Sequence, residues 1–260
     1  HGGEVSTNEL AIDTRSLGAG AVYVALFGEK MDGHQFVGAA KTAGATGAVI
    51  AARCVEAVRT QVGEAFPLLV VEDGLVALQA MAKSHRQRSK ATFVAVAGSS
   101  GKTTTKEMVA SVLARKGRTH RTTGNLNNHI GVPLSLLRMD DTYELAAIEV
   151  GMNHPGELLV LGDILQPHHA LITNIQPEHL EGLGTIENVA KAEGEIFTKV
   201  LPGGSLIWPG DDALAKEYSL PKGTSHPLVA FGETDACAVK LLSSSLTDTA
   251  QHQAVYRTGL

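Results

Sequence analysis

Gly98-Ser-Ser-Gly-Lys-Thr-Thr104 is where residue types and spacing most directly imply chemistry. Two glycines three positions apart allow a tight backbone turn, and the Lys-Thr pair after them supplies a cation and a hydroxyl. Between a strand and a helix, such a loop aims backbone N–H groups at phosphate oxygens. Gly98, Ser99, Ser100, Gly101, Thr103 and Thr104 are therefore candidate ATP-binding residues. Lys102 would reach the β/γ-phosphates, and the Thr103 hydroxyl would bind Mg2+. The longer G-x-x-x-x-G-K-[ST] pattern is not met, because Val96 holds its first glycine position. Kinases, GTPases, ATPases and carboxylate-activating ligases all use phosphate loops, so the loop fixes a ligand and not a reaction.

Further polar groups recur downstream. Residues 123–133 hold three amides, Asn125, Asn127 and Asn128, able to donate to and accept from a nucleotide or substrate. Glu149 closes the apolar run 145–150 (LAAIEV), where a carboxylate can hold the Mg2+ that neutralises phosphate charge. Asn174 lies near the end of the next such run, 170–175 (ALITNI), and His179 follows it. Loop-capping asparagines, a glutamate acting as an ion-pair partner and a structural histidine are the alternatives these residues leave open.

The elements that must position these groups are legible in the apolar pattern. Residues 92–97 (TFVAVA) form a continuous apolar run, as in a parallel strand buried on both faces, and an amphipathic helix is expected over 103–115. Strands at 145–150, 170–175 and 205–208, with a helix over 187–200, complete a strand–helix alternation typical of a doubly wound parallel sheet. Before residue 90 the pattern is shorter: strands at 21–26, 48–51 and 68–71, and helices at 36–43 and 75–88. The basic stretch from Lys83 to Lys90 lacks a core pattern and marks a boundary near 88–91. The expected fold class is α/β, a small domain over 1–90 followed by a mostly parallel-sheet, P-loop-type ATP-binding domain over 91–260.

Composition limits the function classes. The 22 Lys+Arg against 27 Asp+Glu give a net charge of −5, which argues against bulk nucleic-acid binding. Two cysteines exclude a disulfide framework or a cysteine-based zinc site. No apolar run reaches the length of a membrane span, so neither membrane insertion nor a signal peptide is expected, and the cytoplasm is the expected location. The chain opens at His1-Gly-Gly without a Met and closes at Thr258-Gly-Leu260, and so reads as a piece of something longer.

Residues 98–106 (GSSGKTTTK), 124–133 (GNLNNHIGVP), 149–157 (EVGMNHPGE) and 178–184 (EHLEGLG) resemble the Mur ligases of peptidoglycan synthesis. Within them, GNLNN and EVGMN favour the branch that adds D-Ala-D-Ala. Asp13-Thr-Arg-Ser16 and Gly28-Glu-Lys-Met-Asp-Gly-His34 resemble that family's uridine-nucleotide domain. The resemblance implies an amide ligase of three domains, acting as a monomer, with ATP and Mg2+ as cofactors and UDP-MurNAc-tripeptide and D-Ala-D-Ala as substrates. It implies an acyl-phosphate intermediate, and a third domain that this chain does not reach, without which ligation is not expected. Lys102, Glu149 and His179 become the catalytic candidates, and Thr103, Glu149, His179 and Glu193 the Mg2+ candidates. Asn125 and Asn128 are assigned to ATP, and Thr14, Arg15, Asp32, His34, Asn127 and Asn174 to the substrate. Two departures stand out: Glu193 occupies the place of the family's carbamylated lysine, and Pro209 that of an adenine-contacting asparagine. A different Mur-type or polyglutamate-type ligase, or a non-catalytic UDP-sugar or nucleotide-binding protein, are the competing readings.

Overall fold

The alternation of strands and helices resolves into two α/β units. A computed structural model describes Thr7 and residues 9–246 and 252–259. One unit contains the chain up to Arg88 together with 133–140, and the other contains Ser89–Val132 and the chain from Asp141 onward.

The first unit is built on a four-stranded parallel sheet, β1 (Leu10–Ala11), β2 (Val22–Val24), β3 (Gly47–Ala51) and β4 (Leu68–Val71), in that order. All of β3, Gly-Ala-Val-Ile-Ala, is buried, as befits an inner strand with helices over its faces. The helices are α1 (Val37–Thr42), α2 (Val55–Val62) and α3 (Gly74–Arg88). Tyr23, Ile50, Val58 and Phe66 meet in the core. Asp73 starts α3, its Oδ1 accepting from Leu75 N at 2.7 Å and Val76 N at 3.0 Å. The helix expected from residue 36 begins instead as a 3-10 turn, Gly33–Phe36, capped by Asp32.

The second unit runs β5 (Thr92–Ala97), α4 (Lys102–Leu113), β6 (Thr119–Arg121), α5 (Gly131–Leu137), whose first two residues belong here, and β7 (Leu145–Glu149). It continues through α6 (Glu157–Leu165), β8 (His169–Ile172), α7 (Leu180–Leu183), α8 (Ile186–Gly194), β9 (Ser205–Pro209), β10 (Leu228–Gly232), β11 (Val239–Leu246) and β12 (His252–Thr258). The strand order is β12-β11-β10-β9-β8-β5-β7-β6, parallel except for the β11–β12 hairpin. Phe93, Ala95, Val96 and Ala97 in β5 are free of solvent, consistent with layers on both faces.

After β5 the chain goes to one side for β6 and β7, then returns to β5's other side for β8. That reversal opens a crevice at the carboxyl ends of the strands, where sheets of this kind hold ligands. Gly98, Thr122, Glu149 and Thr173 all leave their parallel strands at this edge. The long helix expected over 187–200 ends at Gly194 and tightens into a 3-10 turn over Glu195–Lys199. There the Ser219 backbone lies 2.5 Å from where a Gly194 Cβ would stand, so only glycine admits the contact.

Candidate functional site

The phosphate loop is held open by the segment that follows β8. Ser99 N donates to Asn174 O at 3.0 Å, and the Ser99 hydroxyl donates to Gln176 O and accepts from Gln176 N. Thr173 Oγ1 donates to Ser100 O at 2.7 Å. The Asn174 side chain clamps the same residue, its Oδ1 accepting from Ser100 N and its Nδ2 donating to Ser100 O. Gly98 makes this stitching possible: its φ is +113°, and a Cβ would lie 2.7 Å from Thr173 N. Gly101 is also left-handed and serves as the N-cap of α4. The first-turn N–H groups of that helix have no intrahelical acceptor and face the crevice end of the sheet.

Lys102 opens α4 and folds back over the loop. Its Nζ donates to Gly98 O at 2.6 Å and Ser99 O at 3.1 Å, and stands 3.8 Å from Glu178 Oε1. The ammonium is thus already held at the loop's mouth, where a phosphate oxygen can replace the carbonyls. Thr103 and Thr104 follow it, exposed, in the first turn.

Glu149 is positioned by two hydrogen bonds. Its backbone N donates to Thr122 Oγ1 at 3.0 Å, and its Oε1 accepts from Asn127 Nδ2 at 2.9 Å. The residue is only 2% exposed, yet its Oε2 has no hydrogen-bond partner. A buried carboxylate oxygen left bare is costly unless something positive meets it, and an oxygen-seeking Mg2+ fits that donor.

Lys102, Asn127, Asn128 and His179 line one cavity of about 210 Å3, with Asn153 and Glu157. A larger cavity of about 650 Å3 shares Asn153 and His179 and adds His154, Glu178 and Glu181. His179 stands between the two with φ +50°, a left-handed conformation unusual for a side chain with a Cβ and often found at functional positions. Its Nε2 is 3.7 Å from Glu178 Oε2.

The other sequence candidates are placed differently. Asn128 Oδ1 accepts from Ile130 N and Gly131 N, capping α5 from the cavity's rim, and Asn125 is exposed and off the cavity wall. Glu193 is 1% exposed and lies beneath the loop, its Oε2 accepting from Gly98 N at 2.7 Å. Burial pushes its carboxyl up to about 8; the neighbouring Glu178 pushes the same way, while Lys102 and the Gly98 N–H pull it down. Beyond Pro209, Asp212 ties two strand ends together, accepting from Ile175 N, Leu214 N and Ala215 N.

In the first unit, Asp32 and His34 form a bonded turn. Ala51 N donates to His34 Nε2 at 2.9 Å, so Nδ1 carries the proton and donates to Asp32 Oδ1 at 2.6 Å. His34 is 3% exposed with both nitrogens engaged, and Asp32 is held below its usual range against the opposing effect of its partial burial. His34→Ala should strand the buried Ala51 N–H and cost about 1–3 kcal/mol. Urea denaturation measures this, and an unchanged midpoint would refute it. Arg15 pairs with Asp13 at 2.6 Å in the open; the hydrogen bond from Arg15 holds Asp13 down at about 2, and Thr14 between them is half-buried.

Sequence reading alone missed Glu178, Thr122 and Thr173. Glu178 lies inside the Pro177-Glu-His segment, but nothing local signals that it faces Lys102. Thr122 follows a three-residue strand without an apolar pattern, and its role emerges only from the pairing of β6 with β7.

Residues 96–256 match the family described as Mur ligase middle domain. The UDP-N-acetylmuramoyl-tripeptide–D-alanyl-D-alanine ligase of Escherichia coli is 41% identical, over 81% of this chain and 45% of its own length. Its counterpart in Haemophilus influenzae is 39% identical over 94% of this chain and 53% of its own. The crystal structure of MurF from Acinetobacter baumannii matches at a TM-score of 0.83 and 33% identity, covering 96% of this chain and 53% of that one. MurF ligase from Thermotoga maritima, solved in complex with ADP, gives 0.79 at 27% identity, over 97% and 56%. The chain spans about half the length of the curated relatives it matches.

Proposed function

This chain belongs to the Mur ligase family, and we propose that it carries the substrate- and ATP-binding parts of the ligase that adds D-Ala-D-Ala to UDP-MurNAc-tripeptide. One observation carries the reading: Lys102 and His179 share a cavity wall with Asn127, the residue that holds the buried, half-partnered Glu149. The kinship to ligases of that name supports the choice of substrates. In this reading residues 1–90 hold the UDP-sugar peptide, with Thr14, Arg15 and the Asp32/His34 turn nearby, and 91–260 hold ATP. In this reading the ligase acts as a monomer in the cytoplasm, where a water-soluble nucleotide-linked substrate would be met.

A carboxylate is a poor electrophile, and ATP remedies this. The substrate carboxylate oxygen attacks the γ-phosphorus, ADP leaves, and the acyl phosphate formed carries a good leaving group. The amine of D-Ala-D-Ala then attacks the carbonyl carbon, gives up a proton and expels phosphate. Such chemistry asks the protein mainly for positioning and charge neutralisation. Lys102 and the first-turn amides of α4 would take the β/γ-phosphates, with the Asn174 clamp keeping the loop in shape. Thr103 and Glu149 would hold one Mg2+, and His179 a second toward the substrate carboxylate. When bound, these ions would neutralise phosphate charge and polarise the transferring group. Glu193 would serve from behind the loop, through Gly98 and Glu178, in place of a carbamylated lysine. Asn125, Asn127 and Asn128 would border the nucleotide and substrate.

The test is phosphate release by the full-length protein. We expect release to require ATP, UDP-MurNAc-tripeptide and D-Ala-D-Ala together. Equal release with a single amino acid in place of the dipeptide would point to a different ligase, and nucleotide binding without turnover to a non-catalytic protein.

A further inference from the structure

Lys106 lies one helical turn after Lys102 on α4 and is 1% exposed, although its charge belongs to no step described above. A buried ammonium is costly unless fully partnered, and this one donates to Thr122 O at 2.8 Å and Glu107 Oε1 at 2.6 Å. Glu107 in turn pairs with Arg121 at 2.8 Å, so two consecutive residues at the end of β6 are fastened to α4. Thr122 is wholly buried, and its hydroxyl accepts from Glu149 N. The loop beyond it brings Asn127 onto Glu149 Oε1. An unbroken series of bonds therefore runs from the helix that bears Lys102 and Thr103, through Lys106 and Thr122, to the backbone of Glu149.

We propose that Lys106 is a positioning residue that fixes the distance between the α4 N-terminus and the Glu149 carboxylate, and so sets the affinity of the site for the divalent cation held between Thr103 and Glu149. The inference rests on the nucleotide-site reading given above. Thr103 and Glu149 come from different elements, and a cation with short, rigid oxygen distances tolerates little change in their separation. Nucleotide phosphates also contact the loop and Lys102, and these contacts do not pass through Lys106. Loss of Lys106 should thus fall on the metal-dependent part of nucleotide binding alone.

ADP binding to the 260-residue chain, titrated by calorimetry in EDTA and across a MgCl2 series, separates the two parts. Lys106→Met, which keeps the stem and removes the ammonium, should raise the Mg2+ concentration for half-maximal tightening at least tenfold. Its ADP affinity in EDTA should stay within twofold of the parent. Thr122→Val removes the acceptor for Glu149 N while sparing the Lys106 bond to Thr122 O, and should shift the Mg2+ midpoint in the same direction. It serves as the test should Lys106→Met fail to fold. In the double variant the two shifts should not add, because both act through Thr122. Variants that lower ADP affinity equally with and without Mg2+, or that keep the parent's midpoint, would overturn the inference while leaving the site reading intact. A parent chain whose ADP affinity ignores Mg2+ would overturn both.

Discussion

Lys102→Ala should weaken ATP binding by about 2–3 kcal/mol, roughly 30- to 150-fold. The ammonium sits over the loop with its donors on Gly98 O and Ser99 O, and its charge lies 3.8 Å from Glu178. Those carbonyls are replaceable partners, so a phosphate entering the loop gains a charge-assisted donor without moving the α4 helix. Alanine removes that donor and also leaves the Glu178 carboxylate, already beside Glu193, without its nearby cation. Two effects then act together, lost attraction for the β/γ-phosphates and added negative charge at the loop's mouth. Calorimetric titration with Mg-ATP measures the change. Affinity equal to the parent's would remove Lys102, and with it the loop, from the nucleotide site.

What could be read from sequence, and what could not, follows from where each signal resides. β5 and its loop are legible because burial on two faces forces an apolar run, and because glycine most readily takes the left-handed turns at 98 and 101. Glu149 was legible as a charge at the end of such a run. β6 was not: Thr-His-Arg has no apolar pattern, and its extended form is imposed by parallel pairing with β7. The strand expected over 170–175 overruns the end of β8 by three residues, because Thr173 and Ile175 are β-prone, yet Thr173, Asn174 and Ile175 are drawn off to bond the loop and Asp212. Side-chain assignments suffered most. An asparagine beside a phosphate loop looks alike whether it touches a ligand or, as with Asn174, spends both ends of its amide on Ser100. Partners distant in sequence decide such cases, as with Glu193 and Gly98, 95 residues apart.

Glu193 carries the second large expected effect. Its carboxyl is raised from 4.5 to about 8, first by burial and then by Glu178. Between those values the folded chain binds a proton that the unfolded chain lacks. The resulting stabilisation is complete below about pH 4.5 and is lost as pH rises through 8. In Mg2+-free buffer the parent should therefore lose stability toward pH 9, by an amount on the order of a few kcal/mol. Glu193→Gln keeps an oxygen for Gly98 N and offers Glu178 a permanent N–H donor, so it should stay close to the parent at pH 5 and exceed it at pH 9. Comparing the two by chemical denaturation cancels groups that titrate in both, such as His169, which burial holds below its usual value. A parent–variant difference that does not change with pH would refute the raised carboxyl. The same side chain bears on catalysis, because a glutamate offers two oxygens without needing CO2 to form them. The full-length enzyme should keep its activity in CO2-depleted buffer, whereas Glu193→Ala should lose it as the Gly98 peptide is released from below. Activity that depends on bicarbonate, with Glu193→Ala behaving like the parent, would show that the group supporting the loop comes from elsewhere.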